Sequence, residues 1–304
     1  MPWVNIGMIK RVIDVSERAY LHILNKQLCV DKDGVTVSAI SIEDLGILIL
    51  QHPAITMTQS VITLCQQNNV AILFCDERHL PISITLPLWS GHSLHTKVLR
   101  GQISSKVPRR KRLWQQIIQT KISEQAITVE RAGLQAQNLR RLAGKVRSGD
   151  PQNIEAQAAQ EYWRRLMGKN FRRDPKVDGV NNVLNYGYSI MRAMIARALV
   201  GTGLHPAIGL HHKNQYNGLC LADDVMEPFR PWIDSLVHAM VIPENEVRIT
   251  RDIKQQILGL LSDQVYYGHE KMPLMIAAHY LAAQLKRALT DSTVSLTYPK
   301  RCLA

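Results

Sequence analysis

The spacing of apolar residues changes once along this chain. Over roughly the first 85 residues they come in short runs rich in β-branched side chains: Arg11-Val15, Tyr20-Asn25, Gln27-Val30 and Val35-Ser38. These read as strands, with Asp31-Lys32-Asp33-Gly34 as a turn between two of them. Leu45-Leu50 and Val70-Cys75 are continuous apolar runs and read as buried strands, and Pro81-Thr85 reads as a short edge. Between the two buried runs Thr58 can cap a helix over Gln59-Asn68, with Val61, Ile62 and Cys65 on one side.

Beyond Pro87-His95 (PLWSGHSLH) the period becomes about 3.6. Helices are predicted over Arg112-Val129, Glu130-Val146, Asn182-Val200, Asp223-Val241, Glu246-Leu261 and Pro273-Leu289. Asp150-Pro151 reads as a helix start, Asp as N-cap and Pro at the first helical position, for a helix running through Glu155 to about Met167. On that helix Glu155, Ala158, Ala159 and Tyr162 fall at i, i+3, i+4 and i+7, which puts Glu155 on the small, packed face. The expected fold is α+β and multi-domain: a β-rich unit over residues 1–86, a linker over 87–96 and a larger all-helical unit over 97–304, expected to carry the catalysis.

Charge adds a partner to this picture. The chain carries a formal net charge of +12. Between Lys97 and Arg197 stand 21 Lys and Arg against 7 Asp and Glu, a net of +14, so the remainder is −2. Arg109, Arg110, Lys111 and Arg112, then Arg140 and Arg141, Arg164 and Arg165, and Arg172 and Arg173 form its clusters. Most are interleaved with apolar residues at helical spacing, so they form solvated faces, which together suit a phosphate backbone. Trp89, His92 and His95 in the linker are further DNA-contact candidates, although a tryptophan at such a place as Trp89 more often packs between domains. Five scattered cysteines include no CxxC pair, so no zinc knuckle or disulfide framework is expected. With no signal peptide and no apolar run of about 18 residues, the expected compartment is the cytoplasm.

Inside this basic chain lies the acidic and imidazole-bearing segment GLHHKNQYNGLCLADDVMEPFRP, Gly209 to Pro231. His212 precedes Asp224 and Glu227, which are spaced i, i+3, and Glu155 stands upstream. Carboxylates converging from separate helices are how helical folds build metal sites, and phosphodiester transfer needs a cation. Oxygen ligands suit Mg2+ or Mn2+, and a histidine tilts the set toward Mn2+. Each residue also has a plain structural use. Asp223 and Asp224 suit a helix N-terminus, Glu227 suits an ion pair with Arg230, and His211 and His212 suit a loop.

The motifs Asn153-x-Glu155-x-x-Ala158-Ala159, NVLNYGY (Asn182-Tyr188), GLHPAIGLHH (Gly203-His212) and LADDVMEPFRPWID (Leu221-Asp234) occur in this order. Together they closely resemble the CRISPR-associated integrase of spacer acquisition, also called the CRISPR-associated endonuclease, in its type II form. VITLCQQNNVAILFCDE (Val61-Glu77) extends the resemblance into the N-terminal part. The resemblance implies an N-terminal β-domain, a helical catalytic domain and a metal site at Glu155, His212 and Glu227, with Asp224 a nearby or second ligand. One departure is Ala156, where the family usually has Gly. The implied reaction is attack of a fragment's free 3′-hydroxyl on a phosphodiester at the edge of a host repeat. The implied assembly is a homodimer, two of which flank a dimer of a small second CRISPR-associated protein to make a heterohexamer. In type II systems the RNA-guided effector nuclease also helps to select fragments. The residues alone leave open a general metal-dependent nuclease acting on branched DNA in repair, or a non-catalytic DNA-bridging module.

Overall fold

The computed structural model of the chain describes residues 10–87, 94–241 and 249–302. The first strand, β1 (Arg11–Val15), is followed by β2 (Tyr20–Leu24), β3 (Gln27–Lys32), β4 (Val35–Ser41), β5 (Leu45–Leu50), β6 (Thr56–Met57), helix α1 (Gln59–Gln67), β7 (Ala71–Cys75) and β8 (Pro81–Thr85). These build two four-stranded sheets, in the orders β1-β5-β7-β8 and β4-β3-β2-β6. The hairpin joining β3 to β4 turns at Asp33 and Gly34, both at positive φ, as the turn chemistry there requires.

All six residues of β5 are buried, because its sheet is covered on both faces. Leu45, Leu48 and Leu50 pack with Val61, Cys65 and Ile72 under α1, while Ile47 and Ile49, with Ala71 and Leu73, face the opposite way. That second face is roofed by the helical part of the chain, so one sheet serves two cores. Polar contacts reinforce the joint. Arg197, buried, donates through Nε to the Asn69 carbonyl at 2.6 Å, and Lys254 hydrogen-bonds Gln51, which bonds Asp14.

The helical part comprises α2 (His95–Ser104), α3 (Val107–Arg131), α4 (Gln137–Ala143), α5 (Ile154–Leu166), α6 (Val180–Gly201), α7 (Cys220–Met226), α8 (Arg230–Val241), α9 (Arg251–Gly259) and, after strands β9 (Gln264–Tyr267) and β10 (Glu270–Pro273), α10 (Leu274–Ala288). It is not all-helical. The strand β11 (Lys300–Arg301) pairs with β9, making a three-stranded sheet in the order β10-β9-β11. These strands are two to four residues long, too short for a period-2 pattern to stand out. Among the described residues no helix is long and apolar enough to cross a membrane.

Other boundaries move for local reasons. α3 starts at Val107, five residues before Arg112, with Pro108 in its first turn. It ends where Gly133 takes φ 76° and Leu134 N–H closes onto the Val129 carbonyl, which separates α3 from α4 within the single stretch Glu130-Val146. The linker expectation is shortened by α2, which begins at His95, while Trp89 and His92 lie outside the described residues, as does the start of the predicted helix at Glu246. The predicted helix Asp223-Val241 is interrupted by a 3-10 turn, Glu227–Phe229, because Pro228 has no N–H to continue the ladder.

α6 and α8 cross closely at Gly187. A Cβ there would lie 2.5 Å from Ile233 Cγ2, so the glycine of NVLNYGY is the contact point itself. Gly187→Ala is expected to force the two helices apart and lower stability by about 1–3 kcal/mol, read as a fall in melting temperature.

Candidate metal and DNA-joining centre

The centre forms where α3, α5 and the α7–α8 corner meet. Glu155 lies in the first turn of α5. That helix begins at Ile154, not Pro151, because Asn153 takes the left-handed conformation at φ 50°. Asp150 still caps it, across a turn: its two carboxylate oxygens accept from the N–H groups of Ile154 and Glu155, each at 2.9 Å. Glu155 is half-buried, on the same side as fully buried Ala158 and Tyr162.

Glu227 closes α7 and is buried. Glu155 and Glu227 meet on the ammonium of Lys121, which comes from the middle of α3. Lys121 Nζ is 2.7 Å from Glu155 Oε1 and 2.6 Å from Glu227 Oε2. Oε2 is buried, and the ammonium is its partner. The other oxygen, Oε1, takes Arg230 Nε at 2.9 Å, the i, i+3 pair that the spacing suggested. Burial raises the Glu227 pKa, but the charges of Arg230 and Lys121 outweigh it and hold the carboxyl at about 2. For Lys121 burial works downward, and Glu227 and Glu155 overcome it, leaving the amine above its usual value.

His212 stands in the loop between α6 and α7, and its orientation is fixed by Asp224. The fully buried Asp224 carboxylate accepts from the backbone N–H groups of Leu210, His211 and His212, at 2.6, 3.0 and 3.2 Å, and from His212 Nδ1 at 2.6 Å. Nδ1 therefore carries the hydrogen, and the ring turns Nε2 outward as an unprotonated acceptor in its neutral form. The hydrogen bond to Asp224 raises the His212 pKa in spite of burial, and the charge of Glu227 adds to the rise. Gly209 makes this wrap possible: a Cβ there would stand 2.4 Å from the His212 carbonyl oxygen and 2.9 Å from Asp224 Oδ2. His211 takes a different place, stacked on Trp114 of α3 with ring centroids 4.3 Å apart and an interplanar angle of 2°.

A second layer holds the corner. Asp234 of α8 is buried and accepts from Tyr162 of α5 at 2.8 Å and from Tyr188 of α6, so one carboxylate pins three helices. Burial pushes the Asp234 pKa up to about 6 against those two donors. The Tyr188 ring lies under the Arg230 guanidinium, 4.7 Å away, and so backs the arginine that holds Glu227. Asp223 points elsewhere, into a two-pronged pair with Arg192 at 2.6 and 2.9 Å.

The structure thus brings Glu155 and Glu227 onto one cation, and His212 lies near enough to Glu227 to feel its charge. Asp224 is consumed by four hydrogen bonds. Among the described residues no three His, Cys, Asp or Glu side chains stand as a ready ligand set, and Lys121 holds the position between Glu155 and Glu227. Lys121, Arg230's partner Tyr188 and the Trp114–His211 stack were not singled out from the sequence. For Lys121 there was a signal: it follows Leu113 and Ile117 at i+4 steps, where another apolar residue is expected.

The basic candidates divide. Arg109 is committed to the chain itself, donating to the carbonyls of Asp291 (3.0 Å) and Ser292 (3.3 Å) past the end of α10. Arg140 forks onto Glu130, Arg165 pairs with Glu161, and Arg173 bonds Asn181 and Asn185. Arg141 reaches Asn138, while Arg112, Arg164 and Arg172 are exposed. Arg110 and Lys111, with Lys213 opposite, line a cleft of about 240 Å3 floored by Trp114 and His211.

The mixed sheet-and-helix frame that carries these residues is shared with known proteins. The fold matches a casposase bound to its integration product (TM-score 0.75, 18% identity, 93% of this chain and 91% of that one). It matches a Cas1 protein from Thermotoga maritima equally well (TM-score 0.75, 16% identity, 94% and 99%). In sequence it is 32% identical over 287 residues to the CRISPR-associated endonuclease Cas1 of Neisseria meningitidis serogroup C, covering 93% of each chain. Residues 13–255 match the family described as CRISPR associated protein Cas1, and the chain belongs to that family. It is accordingly a CRISPR-associated endonuclease by family, as its sequence motifs implied.

Proposed function

We propose that the chain joins short foreign DNA fragments into a host repeat array, using a Mg2+ or Mn2+ ion held by Glu155, Glu227 and His212. The observation that carries this reading is the convergence of the two carboxylates on a single cation position, with the His212 imidazole within reach of the Glu227 charge and bonded to Asp224 through Nδ1 alone. The fit is supported by the charge the two acids already hold between them, the Lys121 ammonium standing within 2.7 Å of each. Two carboxylates and one imidazole are a donor set for Mn2+ and, less readily, Mg2+. A divalent ion there would screen the phosphate and stabilise the leaving oxygen.

The remaining work falls to the chain's own residues. Asp224 is a positioning residue and not a ligand: it fixes the His212 tautomer and the loop that carries it. Arg230 neutralises one oxygen of Glu227, and the other, which faces Lys121, is the one that would meet the ion. His212 and Glu155 are the more exposed members, so the phosphate enters past them. Arg110, Lys111 and Lys213, in the cleft beside His211, hold the backbone of the incoming strand. Arg112, Arg164 and Arg172 extend that surface, and the internally paired Arg109 and Arg140 do not. Such contacts read charge and not sequence, which suits an enzyme accepting any fragment.

Each strand must be joined in turn, so the working form carries two centres: a homodimer acting in the cytoplasm. A solved relative of the same fold belongs to a Cas6-RT-Cas1–Cas2 complex (TM-score 0.72, 19% identity, 95% of this chain and 36% of that one). It supports a Cas2-type partner here, in a heterohexamer, and the type II effector nuclease supplies fragment choice. The test is a joining assay with purified protein, short duplex DNA, a repeat-bearing plasmid and Mn2+ or Mg2+, with and without the Cas2-type partner. Covalent products that require the metal ion are expected; hydrolysis without joining would replace this reading with a repair nuclease. In the same preparation Arg110→Ala combined with Lys213→Ala is expected to weaken duplex binding and lower its salt slope by about 2, and an unchanged slope removes the cleft from the DNA path.

A further inference from the structure

Lys121 has no part in the chemistry described so far, yet it occupies the centre. Its ammonium stands 2.7 and 2.6 Å from the two carboxylates that converge from α5 and α7. A cation ligated by both would stand between the same two oxygens, at roughly 2.0–2.2 Å from each. Two cations cannot share that space, and at such a separation their repulsion is severe even in a well-screened site. Lysine is suited to leaving: it is a point charge on a flexible four-carbon stem, unlike an arginine fork. Its exit does not strand Glu227, because Arg230 remains on the other oxygen at 2.9 Å. The exit also has a direction, since Glu155 and His212 are the exposed members and Glu227 the buried one.

We infer that Lys121 is a resident counter-cation, holding Glu155 and Glu227 together in the metal-free chain and displaced outward when the divalent ion binds. The inference rests on the metal site proposed above. The chain therefore binds metal more weakly than its bare ligand set would. Lys121 also delivers a positive charge to the mouth of the site at the moment the site becomes active, where a substrate phosphate arrives.

The experiment is Mn2+ binding to the full-length protein, followed by the paramagnetic signal of free Mn2+, for wild type, Lys121→Met, Lys121→Arg, Glu155→Gln and Glu227→Gln. Lys121→Met is expected to bind Mn2+ roughly ten-fold more tightly or better, because a competing charge has gone, with Lys121→Arg no tighter than wild type. Glu155→Gln and Glu227→Gln should lose binding. If those two lose it while Lys121→Met binds no tighter than wild type, the metal site stands and the displacement is wrong. If Glu155→Gln and Glu227→Gln bind Mn2+ normally, the site assignment fails and takes this inference with it. Because Lys121→Met can misfold, a second measurement uses the wild-type chain: acetylation of Lys121, normalised to exposed Lys145, should rise several-fold on adding Mn2+. An unchanged acetylation ratio in a chain that binds the ion overturns the displacement.

Discussion

Glu155→Ala is expected to reduce metal-dependent DNA joining by about three orders of magnitude or more while costing the chain little stability. The two effects separate because of how Glu155 is mounted. Its side chain is half-exposed, so its removal opens no cavity, and Asp150 still caps the N–H groups of residues 154 and 155. The cap does not depend on the Glu155 carboxylate, and Lys121 keeps its pairing with Glu227. The measurement is the joining assay run beside a melting curve. Activity within ten-fold of wild type would remove Glu155 from the centre, and a melting point collapsed by tens of degrees would assign it to the fold.

Asp224→Ala is expected to do the reverse in part, striking fold and centre together. Three backbone N–H groups lose their acceptor inside the protein, as does the His212 ring. Orphaning buried donors costs about 1–3 kcal/mol each where no water replaces the acceptor, and solvent can reach this loop, so a total near 3 kcal/mol is expected. Loss of the imidazole's partner should also weaken Mn2+ binding by about 10–100-fold. His212→Ala is the control: it leaves the three backbone bonds to Asp224 in place, so it should abolish joining with a much smaller fall in melting temperature. Equal melting points for Asp224→Ala and wild type would show that the loop does not need its acid.

This difference between Asp224 and Glu227 shows what spacing along a chain can and cannot convey. Read as i, i+3 on one helix, the two acids seemed to project together. In the structure Pro228 ends the helix at Glu227, and the two carboxylates diverge into different work: Glu227 turns toward α3, and Asp224 turns back to gather the Gly209-His212 loop. Hydrogen bonds from the backbone of a loop 12 to 14 residues away have no periodicity to betray them. The strand β5 was legible for the opposite reason, since it is a continuous apolar run whose six residues are all buried within the strand itself. The short strands after α9 carry no such pattern, and the cation at Lys121 is meaningful only once α5 and α7 are brought to α3. Charge runs were the least direct guide. Arg109 and Arg140 sit in the right clusters and are consumed by the protein's own carbonyl and carboxylate groups.

The sheet that serves two cores has a mechanical consequence. Because β5 is clamped between the α1 side and the helical side, and Arg197 and Lys254 stitch across the joint, the two parts of the chain are held to each other through packing as well as through sequence. In the proposed dimer each catalytic centre would then be bolted to its neighbour's through stiff material. In that dimer the distance between the two points of strand transfer would be a property of the scaffold, a caliper whose jaw width, not any base it touches, would decide how much DNA lies between them.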